Sequence, residues 1–123
     1  SDADVLLHAV CDAILGAAGL RDIGFHFPNT SNEFKDADSR NLLSSVMKLI
    51  SEKGYHVGNI DATLVAEVPK ISPYILDIKN SIASLCNIEN EDVGVKATTS
   101  ETVGFVGRKE GIEAYAVVLL EKP

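Results

Sequence analysis

The chain has 123 residues, of which 46% are hydrophobic and 24% are charged, and this length and composition indicate one globular domain over residues 1–123. The 18 acidic and 11 basic residues give a net charge of −7, which argues against a nucleic-acid partner because such a partner requires a basic face. No apolar run approaches the roughly 20 residues that span a bilayer, and the start lacks the charged region and cleavage site of a signal peptide. We therefore expect neither a nucleic-acid nor a membrane partner.

Two helices are predicted in the first half of the chain. Residues 3–18 are apolar on nearly every side, and Gly19 ends this first helix. The second helix begins at Asp38 or Ser39, either of which is a good N-cap, and ends at Gly54 in the position typical of a C-terminal glycine. The polar stretch between the two helices is predicted to be irregular.

The second half of the chain contains strands and one further helix. Strict alternation predicts a strand at 57–66, and two more strands are predicted at 93–98 and 112–120. Ser72 is predicted as the N-cap of a third helix, with Pro73 at its first position. These elements indicate an α/β (α+β) domain with a small mixed sheet and helices packed on one face.

The last predicted strand is apolar on both of its alternating faces, in the segment AYAVVLL. Such a pattern is typical of a strand that is buried on both sides. Two interpretations remain open. Either this is a central strand with a modest cluster of side chains over it, or the second face of the sheet meets other subunits, which is the interpretation we favour.

The segment DVLLHAVCD places Asp4, His8 and Asp12 four residues apart, so their side chains form one stripe on a helix. A histidine in an apolar helix is often a core residue, but flanking carboxylates also suit a zinc-bound imidazole, which typically donates its second N–H to an acid. Cys11 could ligate a metal, but it is better explained as a small buried hydrophobic residue. Together with Cys86 it makes two cysteines, too few for a disulfide scaffold, and this favours a reducing compartment.

The segment VKATTSETVGF places hydroxyl side chains directly after a strand. Thr98, Thr99 and Ser100, with the free N–H groups of a strand end, suit an anion such as phosphate. Glu101 has two interpretations. It forms a capping box with Thr98 in the pattern T-x-x-E, or it is an oxygen ligand for a divalent cation that is shared with a phosphate.

Three other segments carry weaker signals. GFVGRKEG is either a simple connection into the last strand or a turn from which Arg108 reaches a phosphate. VPKISP is a loop that enters a helix and could bind a nucleobase through its main chain. His26 is either a ligand or a surface residue, and we favour the surface interpretation, while His56 carries no signal.

Taken together and in order, five segments resemble the 2-C-methyl-D-erythritol 2,4-cyclodiphosphate synthases: SDADVLLHAVCDAILGA, DIGFHFPNT, KDADS, GNIDATLVAEVPKISP and VKATTSETVGFVGRKEGI. The family patterns S-D-x-D-V-x-x-H-A-x-x-D-A-x-x-G-A and V-K-A-T-T-x-E are long and specific. The resemblance runs from Ser1 to about Leu120.

The resemblance implies a lyase of the non-mevalonate route to isoprenoids. Its substrate is 4-diphosphocytidyl-2-C-methyl-D-erythritol 2-phosphate, whose 2-phosphate attacks the β-phosphorus, closes a cyclic diphosphate and expels CMP. Family members are homotrimers with active sites between subunits and sheets that face the threefold axis, where an isoprenoid diphosphate could bind. The implied metals are zinc and a magnesium or manganese ion, and the implied location is the cytoplasm, or a plastid-type organelle in a eukaryote.

The resemblance also implies roles for individual residues. His8 matches a zinc ligand, Glu101 matches the magnesium or manganese ligand, and Thr99 matches the hydroxyl that stabilises the transition state. Beyond the resemblance, our own hypothesis is that Asp4 and Asp12 orient the helix and the ligand. The residues that match substrate-contacting positions are Ser1, Asp22, Ile23, Gly24, Phe27, Pro28, Asn29, Thr30, Ser31, Ala66, Glu67, Val68, Pro69, Lys70, Ile71, Ser72, Thr98, Thr99, Ser100, Glu101, Phe105 and Arg108.

The sequence departs from the family pattern in two places. The family's other zinc ligands lie in a D-x-H motif on a strand upstream of Ser1, and this chain does not contain that segment. Asn29 and Ser31 stand in FPNTS where the family commonly has F-P-D-T-D. Two alternatives to the enzyme follow: a trimer that binds CMP or CDP without turnover, and a structural trimer whose axial channel holds an isoprenoid diphosphate.

Overall fold

The structure, a computed structural model, describes residues 2–28, 38–68 and 71–123. Three helices precede the first strand, and helical segments then separate the three strands. In order, they are α1 (Asp2–Ala17), α2 (Ile23–His26), α3 (Ser39–Glu52), β1 (His56–Val65), a 3-10 turn (Ser72–Tyr74), α4 (Ile75–Cys86), a second 3-10 turn (Asn90–Asp92), β2 (Val93–Thr98), α5 (Gly104–Gly107) and β3 (Glu113–Glu121).

The three strands form one mixed sheet in the order β2-β1-β3. β1 pairs in parallel with β2, with Ile60 opposite Val93, and this pairing requires the crossover that α4 provides. β1 pairs antiparallel with β3, with Ala62 opposite Ala116, and the register shifts between Val57 and Asn59. β3 is therefore an edge strand among the described residues, and the less favoured of the two interpretations, a central last strand, is wrong.

The helices cover one face of this sheet, which makes the predicted fold class correct. Buried positions recur at helical spacing along α1 and α3 and at alternate positions along β1, and together they form one core. Each large aliphatic side chain that is buried contributes about 1.5–3 kcal/mol relative to its exposed state. The largest fully buried side chains belong to Leu6, Ile14, Leu15, Leu43, Ile50, Ile60, Leu64 and Ile82.

Among the residues that the structure describes, none covers the opposite face of the sheet. Tyr115, Val117 and Leu119 of β3 are 57%, 72% and 56% exposed, although their neighbours along the strand are half-buried. On the same sheet, an ion pair joins Asp61 of β1 to Lys96 of β2. The apolar stripe on β3 agrees with the expectation that this face meets another surface.

The predicted ends of the helices are correct for α3 and wrong for α4. The Asp38 carboxylate accepts a hydrogen bond from Arg40 N at 2.9 Å, and Gly54 follows the helix with φ +85°. Ser72 is not the N-cap of α4, because a 3-10 turn occupies Ser72–Tyr74 and α4 begins at Ile75. Proline supplies no backbone N–H, and the chain enters α4 through this tighter turn.

Candidate active site

The candidate site lies at the carboxyl edge of the parallel strands β1 and β2. Val65 and Thr98 are paired at the ends of these strands, and Ala66 N donates a hydrogen bond to Thr98 O at 2.9 Å. The loop after β1 and the turn after β2 therefore leave the sheet side by side. Ligands commonly bind at this edge of a parallel sheet, because loops rather than strands supply the polar groups there.

The turn after β2 is strained and exposes its carboxylate. Glu101 and Thr102 have φ of +54° and +64°, conformations that cost a non-glycine residue about 1–3 kcal/mol each. Glu101 N donates to Thr99 Oγ1 at 3.3 Å, and Val103 N donates to Ser100 O at 3.1 Å. The strain is thus maintained by local hydrogen bonds.

The alternative interpretation of Glu101 as half of a capping box is wrong. The next helix is α5, which begins at Gly104 with Val103 as its N-cap, and no helix begins at Thr98. The Glu101 side chain is exposed, and its carboxylate has no hydrogen bond or ion pair within the described residues. This leaves the carboxylate free for a cation.

Gly107 of α5 is packed directly against this turn. A Cβ atom at Gly107 would lie 2.1 Å from the carbonyl carbon of Thr102 and 2.4 Å from its oxygen. Backbone atoms cannot move aside as a flexible side chain can, so only glycine allows α5 to approach so closely. GFVGRKEG is therefore a short helix that supports the turn rather than a simple connection.

Glu67 connects the loop after β1 to the turn after β2. Its Oε1 accepts a hydrogen bond from Thr102 N at 3.1 Å, and its Oε2 lies 3.4 Å from Ser100 Oγ. Glu67 also lines a groove of about 430 Å³, whose other lining residues are Asp2, Ala66, Val68 and residues 109–112. This groove brings the start of α1 beside the loop after β1 and the segment 109–112 that leads into β3.

Two further predicted contacts, Phe105 and Arg108, lie on or just after α5. Phe105 is exposed, and its ring faces Gly111, where a Cβ would lie 3.3 Å from the ring. Arg108 is exposed, and its Nε donates to both carboxylate oxygens of Glu110 at 2.9 Å. A phosphate would therefore compete with Glu110 for this guanidinium.

The predicted ribose-holding segment lies against the polar stripe of α1. Asp12 Oδ1 accepts a hydrogen bond from Ile23 N at 3.0 Å, which attaches the first residue of α2 to α1. Asp22 precedes α2 and is exposed, and a Cβ at Gly24 would lie 3.1 Å from its carboxylate. His26 is half-buried, and its Nε2 lies 2.6 Å from Leu20 O.

His8 is exposed on α1, and its interpretation as a buried core histidine is wrong. Asp4 accepts a hydrogen bond from the buried Ser39 hydroxyl at 2.9 Å. Both acids of the stripe therefore attach α1 to neighbouring segments, α3 through Asp4 and α2 through Asp12. This agrees with a role in orienting the helix that carries His8.

Cys11 does not have the properties of a metal ligand. It is completely buried, and burial, together with nearby Cys86 and Asp12, raises the pKa of its thiol to about 12. Burial likewise raises the pKa of Cys86 to about 12. The interpretation of Cys11 as a buried hydrophobic residue is confirmed.

The structure brings some of the predicted site residues together and leaves others outside its description. The loops 66–68 and 98–103 meet at one edge, Ile71 is buried, and Ser72 begins the adjoining 3-10 turn. Phe27 is half-buried and Pro28 is exposed at the end of the segment that begins with Asp22. The predicted residues outside the described ranges are Ser1, Asn29, Thr30, Ser31, Pro69 and Lys70.

Sequence reasoning placed Glu67 in the loop after β1 but missed its contact with the turn after β2. The parallel pairing of β1 and β2 brings these two segments together. The sequence feature that could have predicted the contact is that each segment directly follows a strand. The contact between Asp12 and Ile23 was also missed, because the stripe on α1 suggested a metal instead. No group of three histidine, cysteine or acidic side chains within the described ranges could hold a metal ion.

Comparisons with known proteins agree with this arrangement. The model of the YgbB family matches residues 1–121. The 2-C-methyl-D-erythritol 2,4-cyclodiphosphate synthase of Parabacteroides distasonis is 56% identical over 122 residues, which cover 99% of this chain and 76% of that protein. The protein of the same name from Bacteroides thetaiotaomicron is 57% identical over 122 residues, which cover 99% of this chain and 77% of that protein.

Solved structures share the fold. The bifunctional IspDF from Campylobacter jejuni superimposes with a TM-score of 0.91 at 40% identity, covering 97% of this chain and 32% of that one. The CDP complex of IspF from Plasmodium falciparum superimposes with a TM-score of 0.82 at 36% identity, covering 96% of this chain and 70% of that one. None of the helices in the described ranges has the length and apolarity to cross a bilayer. The chain belongs to the YgbB family, that of the 2-C-methyl-D-erythritol 2,4-cyclodiphosphate synthases.

Proposed function

We propose that this chain converts 4-diphosphocytidyl-2-C-methyl-D-erythritol 2-phosphate into 2-C-methyl-D-erythritol 2,4-cyclodiphosphate and CMP. An oxygen of the 2-phosphate forms a bond to the β-phosphorus, and the bond from that phosphorus to the bridging oxygen breaks. CMP departs with the electron pair of the broken bond. The observation that carries the proposal is the meeting of 66–68 and 98–103 at one sheet edge in a chain whose relatives carry this synthase name.

The residues of the turn after β2 suit a diphosphate. Thr98 and Thr99 are exposed at the end of β2, so their hydroxyl groups can donate to phosphate oxygens. We assign Thr99 to the transition state, because phosphoryl transfer depends on positioning and on donors directed at developing charge. Both reacting phosphates belong to one substrate molecule, so holding them in line makes the attack intramolecular and lowers its entropic cost.

A magnesium or manganese ion fits the geometry at Glu101. Magnesium is usually held by one or two carboxylates together with substrate phosphates, and Glu101 presents one exposed carboxylate in the turn whose backbone bonds to the Thr99 hydroxyl. When bound, the ion neutralises phosphate charge. Hydrogen bonds within the turn limit the backbone conformations open to Glu101, which reduces part of the ordering that cation binding requires.

Zinc does not fit the described residues on their own. His8 is exposed and offers one imidazole, whereas a zinc site takes about four ligands. We retain His8 as a proposed ligand, with the others coming from the substrate, from another subunit or from residues outside the described ranges. No step of the mechanism above depends on it.

We assign the loop 66–72 to the cytosine base. The CDP complex of a related IspF supports a cytidine diphosphate ligand. In this chain, Ala66 and Ile71 are buried, while Val68 is exposed between them. A loop anchored at both ends can present its main-chain N–H and C=O groups to a base. The neighbouring segment 22–24 would then hold the ribose, 27–31 the methylerythritol phosphate, and Phe105 and Arg108 would add further contacts.

We also propose that the chain forms a homotrimer through the uncovered sheet face. Val117 is 72% exposed in the centre of β3, and the stripe of Tyr115, Val117 and Leu119 is typical of a surface that becomes buried on association. The axis of such a trimer could accept an isoprenoid diphosphate. Analytical ultracentrifugation at several protein concentrations measures the assembly, and a monomer at all concentrations would contradict it.

The test is CMP release from the cytidine diphosphate substrate with zinc and magnesium supplied. Glu101→Gln should reduce turnover by at least about 10²-fold, because the variant loses the charge that holds the cation. Glu91→Gln is the matched control, since Glu91 is exposed and precedes β2 at the end of the strand opposite Thr98. CDP binding without CMP release by the unchanged chain would favour the binding-only alternative.

The proposed zinc site needs a second readout. His8→Ala should lower the zinc content measured by elemental analysis as well as CMP release. Equal zinc content in both proteins would remove His8 from the proposed ligands.

For the second metal, equal turnover of the unchanged chain and of Glu101→Gln would contradict the assignment of the magnesium or manganese ion to Glu101.

A further inference from the structure

Glu67 makes contacts that a residue of a base-binding loop does not require. It is half-buried at the end of β1, and its carboxylate turns towards the backbone of the turn after β2. The two atoms near it belong to Ser100 and Thr102, which flank Glu101 on either side. One side chain thus joins the loop assigned to the base and the turn assigned to the cation.

The bond to Thr102 is the stronger of the two contacts. Thr102 N lies 3.1 Å from Glu67 Oε1, whereas Ser100 Oγ lies 3.4 Å from Oε2. The Ser100 hydroxyl has one hydrogen, and Val103 O accepts it at the shorter distance of 2.8 Å. The connection between the loops therefore depends mainly on the Thr102 amide.

The position of that amide controls the position of Glu101. Thr102 N belongs to the peptide that follows Glu101, and both residues have positive φ. Such a backbone persists only when surrounding contacts hold it. Gly107 blocks the turn from one side, and Glu67 holds it by a hydrogen bond to a charged acceptor, which is stronger than a neutral one.

We propose that Glu67 is a positioning residue that couples nucleotide binding at 66–68 to cation binding at Glu101. The inference rests on the proposed function and extends it. An occupied base loop fixes Glu67, Glu67 fixes the Thr102 amide, and the Glu101 carboxylate is then held ready for the cation. Coupling of this kind is reciprocal, so the cation must increase affinity for the nucleotide by the same factor as the nucleotide increases affinity for the cation.

The experiment measures CDP affinity by calorimetry with and without Mn²⁺, in the 123-residue chain and in three Glu67 variants. In Glu67→Ala, the factor by which Mn²⁺ increases CDP affinity should be about tenfold smaller than in the unchanged chain, because one hydrogen bond to a charged group is removed. Glu67→Gln should lose clearly less of the gain than Glu67→Ala, since its amide oxygen can still accept from Thr102 N, although more weakly than a carboxylate. Glu67→Asp keeps the charge but is one methylene shorter, and it should behave like the alanine variant.

A second readout does not depend on ligands. Amide hydrogen exchange at Thr102 should be much faster in the alanine and aspartate variants and only slightly faster in the glutamine variant. Glu91→Ala, at the opposite end of β2, should alter neither the exchange nor the Mn²⁺-dependent gain.

The outcomes separate the two proposals. If the unchanged chain binds no CDP in either condition, the proposed function fails and the inference fails with it. If the chain binds CDP with a Mn²⁺-dependent gain that Glu67→Ala retains, only the inference is overturned. A third outcome is that Glu67→Gln loses the Mn²⁺-dependent gain and Glu67→Asp retains it. The charge of Glu67, rather than its bond to Thr102, would then cause the gain, and the inference would also be overturned.

Discussion

The helical side of the sheet and the loops at its carboxyl edge are stabilised in different ways. The core consists of aliphatic side chains of α1, α3, α4 and β1, each surrounded by many others. The edge depends on a few directional contacts: the bonds of Glu67, the glycine at 107 and two residues of positive φ. A substitution in the core should therefore lower the free energy of unfolding and leave the geometry of the site unchanged. A substitution at the edge should change the geometry of the site and have a smaller effect on the free energy of unfolding.

The largest effect on stability is expected in the core. Leu43→Ala should lower the free energy of unfolding by about 2–5 kcal/mol, because Leu43 is 0% exposed and the variant leaves a cavity. Urea denaturation followed by circular dichroism measures the change. Leu76→Ala is the matched control, since Leu76 is also helical but 66% exposed, and we expect it to lie within about 0.5 kcal/mol of the unchanged chain.

Gly107→Ala should separate function from stability at the edge. The new Cβ displaces the backbone of Thr102 and with it Glu101, and a misplacement of about 1 Å can reduce turnover by about 10²-fold. The cost in unfolding free energy should be smaller, about 1–3 kcal/mol for an overpacked contact. CMP release and urea denaturation of the same sample give both numbers.

The control for this variant is another glycine-to-alanine change. Gly16 of α1 has no atom within 4 Å of an added Cβ, and alanine favours a helix by up to about 1 kcal/mol relative to glycine. Gly16→Ala should keep full turnover and unfold at equal or higher urea concentration. Equal turnover in both variants would contradict the supporting role of Gly107.

The smallest expected effect concerns the pH dependence of the α3 cap. The backbone N–H of Arg40, and then its side chain, lower the pKa of Asp38 below its usual value of 3.8. A lowered pKa means that this contribution to stability is complete above the usual pKa and is lost as the pH falls through the lowered one. Asp38→Asn keeps a capping side chain but cannot titrate.

Urea denaturation from pH 7 down to strongly acidic pH tests this cap. The unchanged chain should be slightly more stable than Asp38→Asn at neutral pH, and the difference should disappear at the acidic end. A difference that stays constant over the whole range would mean that the Asp38 charge does not contribute through this cap.

The sequence predicts the elements well where local chemistry determines them. Asp38 and Gly54 are correct as the ends of α3, because capping depends on neighbours in sequence. The position of β3 at the edge was not predicted, because periodicity reports which faces are apolar and not which strand lies beside which. The apolar face of AYAVVLL was nevertheless identified from the pattern.

The candidate site was harder to predict for the same reason. T-x-x-E fits a capping box in sequence, and it is excluded only by the structure, in which the next helix begins at Gly104 with Val103 as its N-cap. The role of Glu67 depends on a contact 35 residues away along the chain, which no local pattern contains. Family resemblance named the residues of the site, whereas their contacts required the fold.

The two buried thiols have a practical consequence for experiments on this chain. With pKa values of about 12, Cys11 and Cys86 carry a thiolate fraction of only about 10⁻⁴ at pH 8, and the thiolate is the reactive form. Alkylating reagents should therefore modify them only when the core opens. The rate of alkylation then reports how often the native core opens, without any added label or engineered residue.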